Sequence, residues 1–124
     1  MEKLGIYVHI PFCIRKCPYC DFYSEDHWDN AQKHRLVKAV CREIDILCGY
    51  YRAQGKRRLS SIYFGGGTPT ALEASDIERV IKAVRRYLPL ANDCEITYEG
   101  RLSGFGTDKM EAALAGGANR FSLG

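Results

Sequence analysis

The sequence predicts an α/β fold in which a parallel sheet is covered by outer helices. Runs rich in apolar β-forming residues alternate along the chain with runs of helical periodicity, and a fourth strand-like run follows the third such unit. Alternation of this kind, with strands apolar enough to be buried, implies parallel strands joined by right-handed crossovers. The unusual motifs also follow the strands directly, and in parallel α/β folds chemistry collects at the carboxyl ends of the strands.

The first strand is predicted over residues 4–10, and Pro11 ends it. The loop after it contains Cys13, Cys17 and Cys20, a C-x3-C-x2-C spacing that places three of the chain's six cysteines within eight residues. Grouped cysteines in a chain without a secretory signal pattern indicate metal ligands before disulfides.

Three close thiols leave several kinds of site open. Structural zinc usually takes four ligands in separated pairs, so a zinc site would need His27 or His34 as the fourth ligand. A fortuitous group of free or buried thiols would need no metal. An iron–sulfur cubane fits better, because thiolates are its ordinary ligands and a short loop can hold three corners, leaving one iron open to a small molecule. The other cysteines are predicted to pack in the core as small hydrophobes, namely Cys41, Cys48 and Cys94.

Helical periodicity begins after the cysteine loop. Apolar residues recur at spacings of three and four from Leu36 to Tyr51, which predicts one long amphipathic helix. The cationic run at residues 56–58 follows it, and we interpret that run as a solvated helix end. A second strand is predicted over residues 59–64, directly before the glycine-rich loop 65–69.

The second half of the chain repeats the alternation. Ser75 and Glu78 form a capping-box signature, which predicts the start of a second helix that Pro89 ends. A third strand is predicted over residues 94–99.

A third helix is predicted to open at Thr107 and to close at Gly116 and Gly117, with one apolar side formed by Met110, Ala113 and Leu114. A fourth strand begins at residues 120–123, and no helix follows to cover it. We therefore expect residues 1–124 to be part of a longer domain, either about half of an eight-fold barrel or a four-stranded open sheet.

Composition and charge exclude several classes of protein. The chain is 46% apolar and 27% charged, an ordinary globular composition that argues against disorder. Its net charge of +3 is too small and too little clustered for a nucleic-acid binder. No apolar stretch approaches the roughly 20 residues of a membrane span, and the N-terminus has no signal-peptide pattern. We therefore expect a cytoplasmic protein.

The motifs together resemble one branch of a known superfamily. The string C-x3-C-P-Y-C at residues 13–20 is similar to the signature of the radical S-adenosylmethionine (SAM) superfamily. The strings YVHIPFC at 7–13 and YFGGGTPTAL at 63–72 resemble its oxygen-independent coproporphyrinogen III oxidase-like (HemN/HemW-like) proteins. The resemblance covers the whole chain and implies the N-terminal half of a partial (β/α) barrel, truncated after the fourth strand.

The resemblance implies a role for each motif. Cys13, Cys17 and Cys20 would hold a [4Fe–4S] cluster whose open iron binds SAM, and a reduced cluster would cleave SAM to methionine and a 5′-deoxyadenosyl radical. Tyr19 would lie beside the adenine. The loop for the methionine amino group would be formed by Gly65, Gly66, Gly67 and Thr68.

Tyr7 and Glu99 match further positions that face or contact SAM in relatives. Tyr7 and His9 share one face of the first strand, and without the resemblance we would interpret both as buried core residues with satisfied polar tips. The alternative for Glu99 is a solvated loop carboxylate. The glycine-rich loop could likewise be a plain tight turn, although glycines also let a ligand approach exposed backbone. The absence of a Gly-Lys-Ser/Thr ending argues against a P-loop.

Two departures from the family pattern bear on the reaction. The authentic oxidase has a further cysteine two residues after its third ligand, where this chain has Phe22, which favours the haem-chaperone-like and haem-utilisation relatives. Many relatives continue from the acidic residue with Asn-Pro, where this chain has Gly100 and Arg101. The run YEGR at 98–101 is more similar to the haem-utilisation branch, which opens haem through radical chemistry.

The resemblance therefore implies a radical SAM enzyme domain of haem or porphyrin metabolism. One alternative is a HemW-like haem chaperone that binds haem and the cluster without turnover, and another is a small zinc-binding module. The implied partners are a tetrapyrrole and a reduced flavodoxin- or ferredoxin-type electron donor, with no nucleic acid.

Overall fold

The computed structural model describes residues 2–11, 29–55 and 57–124. The elements in chain order are strand β1 (Glu2–Ile10), helix α1 (Asn30–Ala53), strand β2 (Arg57–Gly66), a 3-10 turn (Pro69–Ala71), helix α2 (Ala74–Arg85), strand β3 (Leu90–Gly100), helix α3 (Thr107–Gly116) and strand β4 (Arg120–Leu123). The predicted alternation of strands and helices is confirmed. None of the described helices is apolar enough over a sufficient length to span a membrane.

The four strands form one parallel sheet in the order β1-β2-β3-β4, as the alternation predicts. The register places Tyr7 beside Tyr63 and Tyr63 beside Thr97, whereas Phe64 lies beside Tyr98. Because side chains alternate between the two faces of a strand, these two rows fall on opposite faces of the sheet. One face therefore packs against the helices, and the other carries aromatic and polar side chains.

The hydrophobic core lies between the helix-facing side of the sheet and the helices. Burial of a large aliphatic side chain contributes about 1.5–3 kcal/mol, so this layer is the main source of stability. Cys48 and Cys94 are buried in the core and Cys41 is half-buried against it, which confirms their predicted packing. The largest fully buried side chains are Tyr98, Phe64, Ile10, Leu59, Ile62, Leu72, Ile77, Ile81, Ile96, Val37 and Val80.

The capping box predicted at 75–78 is wrong. Helix α2 begins at Ala74 with Glu73 in the N-cap position, so the serine lies inside the first turn, where its hydroxyl is not placed to cap the helix. A capping box occurs instead at the start of α1. Asp29 accepts a hydrogen bond from the Gln32 backbone N–H at 2.7 Å, and the Gln32 side chain accepts one from the Asp29 backbone N–H at 2.8 Å.

Two boundaries also differ from the prediction. Helix α2 ends at Arg85 rather than at Pro89, and β3 begins at Leu90 rather than at Cys94. The backbone N–H of Leu59 in β2 donates to the Pro89 carbonyl at 2.9 Å. Pairing between β2 and β3 therefore begins before the apolar run that marks β3 in the sequence.

The apolar side predicted for α3 is wrong at two of its three positions. Met110 is 37% exposed and Leu114 is 53% exposed, whereas Ala113 is buried. The buried side of α3 also contains Gly116, and a Cβ placed there would lie 2.9 Å from the Cβ of Ile81 in α2. Small residues face α2 because the two helices approach too closely for larger side chains.

The cationic run lies at the start of β2 rather than at a helix end. Lys56 is outside the described residues, and Arg57 and Arg58 are the first two residues of the strand. The Arg57 guanidinium lies 5.2 Å from the centre of the Tyr51 ring in the last turn of α1, which is a cation–π contact. At least one of these cations therefore fastens the strand to the preceding helix.

Candidate functional site

The carboxyl edge of the sheet brings together the ends of β1, β2 and β3. Because the strands are parallel, Ile10, Gly66 and Gly100 all lie toward this edge. The cysteine loop leaves β1 after Pro11 and leads to Asp29, the cap of α1. Four predicted site residues fall in that loop, outside the described residues, and their roles stay predictions: Cys13, Cys17, Tyr19 and Cys20.

Close packing explains why the first two positions of the glycine-rich loop are glycine. A Cβ on Gly65 would lie 2.8 Å from the Tyr63 ring and 3.1 Å from the Tyr7 ring. Gly66 has a φ of 113°, which residues with side chains rarely adopt, and a Cβ there would lie 2.6 Å from the Ile10 carbonyl oxygen. Contacts within the protein therefore require both glycines, whatever ligand the loop binds.

The third glycine leads the chain toward a cavity. The backbone N–H of Gly67 donates to the Ile10 carbonyl at 2.8 Å, so the loop is attached to the end of β1. Gly67 also lines a cavity at the carboxyl ends of β3 and β4, whereas Thr68 is only 2% exposed. Of these two predicted residues, Gly67 is the one placed to meet a ligand.

Four side chains form a connected row across the first three strands, on the face away from the helices. The Tyr7 hydroxyl and the His9 Nδ1 are hydrogen bonded at 3.2 Å. The rings of Tyr7 and Tyr63 are stacked, with centroids 6.0 Å apart and planes 16° apart. The Tyr63 hydroxyl donates to Glu99 Oε2 at 2.5 Å. Tyr7 is 56% exposed, so its interpretation as a buried core residue is wrong.

The Glu99 carboxylate sets the electrostatics of this row. The hydrogen bond to Glu99 is the main cause of a raised Tyr63 pKa, and burial adds to it. Burial raises the pKa of Tyr7, and the Glu99 charge adds to that effect. Both phenols therefore stay protonated near neutral pH and can donate hydrogen bonds. Glu99 itself is a half-buried residue of β3, so it is not a solvated loop carboxylate.

A cavity of about 260 Å³ lies beside Glu99 at the carboxyl ends of β3 and β4. The residues that line it are Gly67, Glu99, Gly100, Arg101, Ser122, Leu123 and Gly124. An acidic and a basic residue therefore line one cavity, and residues of these two kinds can complement the ammonium and the carboxylate of an amino acid. We refer to this space as the edge cavity.

Tyr63 and Ser122 were not predicted as site residues. The period of two in β2 carries a signal for Tyr63, because its neighbours Ile62 and Phe64 are apolar and buried on the helix side. Tyr63 must then face the other side, with Tyr7. Ser122 has no comparable signal, because β4 is short and contains no fully buried residue.

His34, which the sequence offers as a fourth zinc ligand, is hydrogen bonded to the buried carboxylate of Asp76. Its Nδ1 lies 3.0 Å from Asp76 Oδ1 and 3.2 Å from Oδ2, and Asp76 is only 2% exposed. The contact joins α1 to α2. Within residues 2–11, 29–55 and 57–124, no three His, Cys, Asp or Glu side chains are grouped to hold a metal ion. His27 is outside the described residues.

Known proteins match the chain along almost its full length. Residues 7–124 match the radical SAM superfamily. The chain is 44% identical over 123 residues to anaerobilin synthase of Escherichia coli O157:H7, which covers 99% of this chain and 27% of that protein. It is 37% identical over 124 residues to the heme chaperone HemW of Escherichia coli K12, which covers 100% of this chain and 32% of that protein.

A solved structure shares the fold. Coproporphyrinogen III oxidase (HemN) from Escherichia coli, described as a radical SAM enzyme, superposes with a TM-score of 0.85 at 29% identity. The match covers 98% of this chain and 27% of that enzyme. The predicted partial-barrel architecture is therefore confirmed for this stretch, and the chain spans about a quarter to a third of the length of these relatives.

Proposed function

The chain belongs to the radical SAM superfamily, and on that premise we propose that residues 1–124 form the N-terminal part of a radical SAM core domain that acts on a tetrapyrrole. The match over residues 7–124 and the fold shared with coproporphyrinogen III oxidase support this. The observation that carries the proposal is the edge cavity, which combines Glu99 and Arg101 at the sheet edge where the cysteine loop also begins.

The residues present fit an iron–sulfur cluster and SAM. Cys13, Cys17 and Cys20 would supply three thiolate ligands for a [4Fe–4S] cluster. The edge cavity is lined by Glu99 and Arg101, an acidic and a basic residue, which suit the charged groups at the methionine end of SAM. A bound cluster would supply the one-electron reduction chemistry by which radical SAM proteins cleave SAM.

The other residues of the chain bind and orient SAM in this proposal. Glu99, held by the Tyr63 hydroxyl, accepts hydrogen bonds from SAM, and the backbone of the glycine-rich loop borders its amino group. The exposed ring of Tyr7 forms a wall of the site on the open face of the sheet. The family resemblance implies that Tyr19 would bind the adenine, since an aromatic ring can stack on the base.

The substrate is proposed from the relatives. Anaerobilin synthase and coproporphyrinogen III oxidase are both named for reactions on or toward tetrapyrroles. The 44% identity to anaerobilin synthase favours the haem-degrading branch over the oxidase, in agreement with Phe22 and with the run at 98–101. A reduced flavodoxin- or ferredoxin-type protein would donate the electron. We propose a cytoplasmic location, because thiols stay reduced in that compartment and can serve as cluster ligands.

A HemW-like haem chaperone is the second candidate, because identity to HemW is 37% over the whole chain. A chaperone would bind haem and the cluster without turnover. Incubation of the full-length protein with SAM, haem and a reductant separates the two, since only an enzyme forms 5′-deoxyadenosine together with a modified tetrapyrrole.

Anaerobic reconstitution with iron and sulfide tests the ligand assignment. We expect a brown protein with about four irons per chain. Cys17→Ala should abolish the cluster, because one corner then lacks its thiolate. Cys48→Ala is the matched control: it removes a buried thiol from α1 at a cost on the order of 1 kcal/mol of stability and leaves the iron content unchanged.

The opposite pattern would show that the assignment is wrong. Iron retained in Cys17→Ala but lost in Cys48→Ala would remove the loop cysteines from the cluster. A colourless protein that binds zinc in place of iron would support the small zinc module instead.

A further inference from the structure

Three consecutive backbone carbonyls directly after the glycine-rich loop each accept a hydrogen bond from a side chain of a different element. The carbonyls are those of the 3-10 turn, residues 69–71. The Tyr98 hydroxyl in β3 donates to the first at 2.6 Å, Lys109 Nζ in α3 donates to the second at 2.7 Å, and Lys33 Nζ in α1 donates to the third at 3.2 Å. One short turn is therefore held from three sides.

The side chain in the middle of this turn is attached to the end of β3. Thr70 is fully buried, and its Oγ1 accepts a hydrogen bond from the Arg101 backbone N–H at 3.2 Å. A Cβ on Gly100 would lie 2.6 Å from that Oγ1, so glycine is needed there to admit the threonine. The turn is thus packed against Gly100, the one residue between Glu99 and Arg101.

The turn is already closed by its own backbone hydrogen bonds, so the three side-chain donors are additional. Its own backbone bonds run from the Ala71 N–H to the Thr68 carbonyl at 2.8 Å and from the Leu72 N–H to the Pro69 carbonyl at 3.3 Å. The position of Lys109 against the turn costs desolvation free energy, and this partial burial lowers the pKa of its ammonium group. A half-buried lysine that serves a backbone carbonyl adds positional constraint to a turn that is already closed.

We propose that Lys109, supported by Lys33 and Tyr98, is a positioning residue that holds the glycine-rich loop in place for SAM. The inference rests on the proposed function. Gly67 lies three residues before Thr70 and lines the edge cavity, so a shift of the turn moves the backbone that borders the ligand. Displacements of about 1 Å in a binding shell are enough to weaken binding strongly.

Amide hydrogen exchange measured by NMR tests the constraint without any cofactor. In Lys109→Met, which keeps the aliphatic length but loses the donor, we expect the Ala71 and Leu72 amides to exchange about tenfold faster than in the unsubstituted chain. Lys109→Arg should restore slow exchange, because a guanidinium can still donate to the carbonyl. Lys38→Met, which removes an exposed lysine from α1, should change neither amide. Lys33→Met removes a second donor, the one to the Ala71 carbonyl, independently of Lys109.

SAM titration of the reconstituted protein tests the consequence. The Kd for SAM, read from its effect on the electron paramagnetic resonance spectrum of the reduced cluster, should rise about fivefold to tenfold in Lys109→Met and recover in Lys109→Arg. Faster exchange with an unchanged Kd would reduce Lys109 to a structural residue and overturn the inference, as would an unchanged exchange rate. An unsubstituted chain with no SAM response would contradict the proposed function, and the exchange rates would still decide whether Lys109 holds the turn.

Discussion

At the scale of single residues, the hydrogen bond from Tyr63 fixes the position of the Glu99 carboxylate. Tyr63 donates to Glu99 Oε2 and is itself held by stacking on Tyr7. The bond limits the rotamers open to the carboxylate, which otherwise has a freely turning terminal torsion. The orientation of Glu99 at the end of β3 therefore depends on Tyr7 in β1 and Tyr63 in β2.

Tyr63→Phe should weaken SAM binding about fivefold to tenfold, because it removes the donor to Glu99 and keeps the stacked ring. The measurement is the SAM titration of the reconstituted protein. Tyr50→Phe is the matched control, since Tyr50 is 57% exposed on α1, away from the open face of the sheet. Equal affinities in Tyr63→Phe and the unsubstituted chain would remove Tyr63 from the site.

At the scale of secondary-structure elements, the distance between α2 and α3 depends on a glycine. A Cβ on Gly116 would lie 2.9 Å from the Cβ of Ile81 and 3.3 Å from the Glu78 carbonyl oxygen. A residue with any side chain would push the helices apart, and α3 carries Lys109 to the turn beside the glycine-rich loop. The small residues of α3 therefore affect the position of Lys109 as well as the packing of the core.

The same substitution in two helices should have opposite effects on stability. Gly116→Ala should destabilise the chain by about 1–3 kcal/mol, because overpacking against Ile81 outweighs the better helix propensity of alanine. Gly49→Ala in α1 meets nothing within 4 Å, so it should stabilise by up to about 1 kcal/mol. Urea unfolding measures both changes. Stabilisation in Gly116→Ala would show that α2 and α3 can separate without cost.

At the scale of the whole molecule, the candidate site lies on the face of the sheet that the described helices leave uncovered. Tyr7 is 56% exposed there, although it belongs to the row that leads to Glu99. The chain also spans only 27% of the length of anaerobilin synthase. A reactive radical formed on this face would be accessible to water, and exclusion of water is what prevents its side reactions.

We therefore expect residues 1–124 alone to cleave SAM slowly and to form no modified tetrapyrrole. The assay uses dithionite as reductant and haem as substrate, and it measures 5′-deoxyadenosine and tetrapyrrole product together. Full-length anaerobilin synthase of Escherichia coli, assayed in parallel, is the control for coupled turnover. Equal product per cluster from the two proteins would contradict the expectation and show that this stretch of chain suffices for the reaction.

The sequence by itself determined the parallel sheet, and it predicts a candidate site at the carboxyl edge of that sheet. Periodicity is a local property, so the spacing of apolar residues in α1 and the short apolar runs of the strands could be recognised without any tertiary contact. The glycine-rich loop and the cysteine loop could also be predicted to lie at one edge of the sheet. Each directly follows a strand, and parallel strands end at the same edge. Glu99 also follows a strand and so belongs to the same edge, but its role toward SAM came from the family resemblance, since an isolated carboxylate does not indicate a particular ligand.

Only the tertiary structure decided which side chains meet. Tyr63 reaches Glu99 across 36 residues of sequence and Lys109 reaches Thr70 across 39, and both contacts depend on register and helix position. The buried side of α3 was predicted wrongly for a related reason. Hydrophobicity favours Met110 and Leu114, but the close approach of α2 admits only Ala113 and its small neighbours. Contacts between elements depend on distances that neither element specifies by itself, so pattern alone could not provide them.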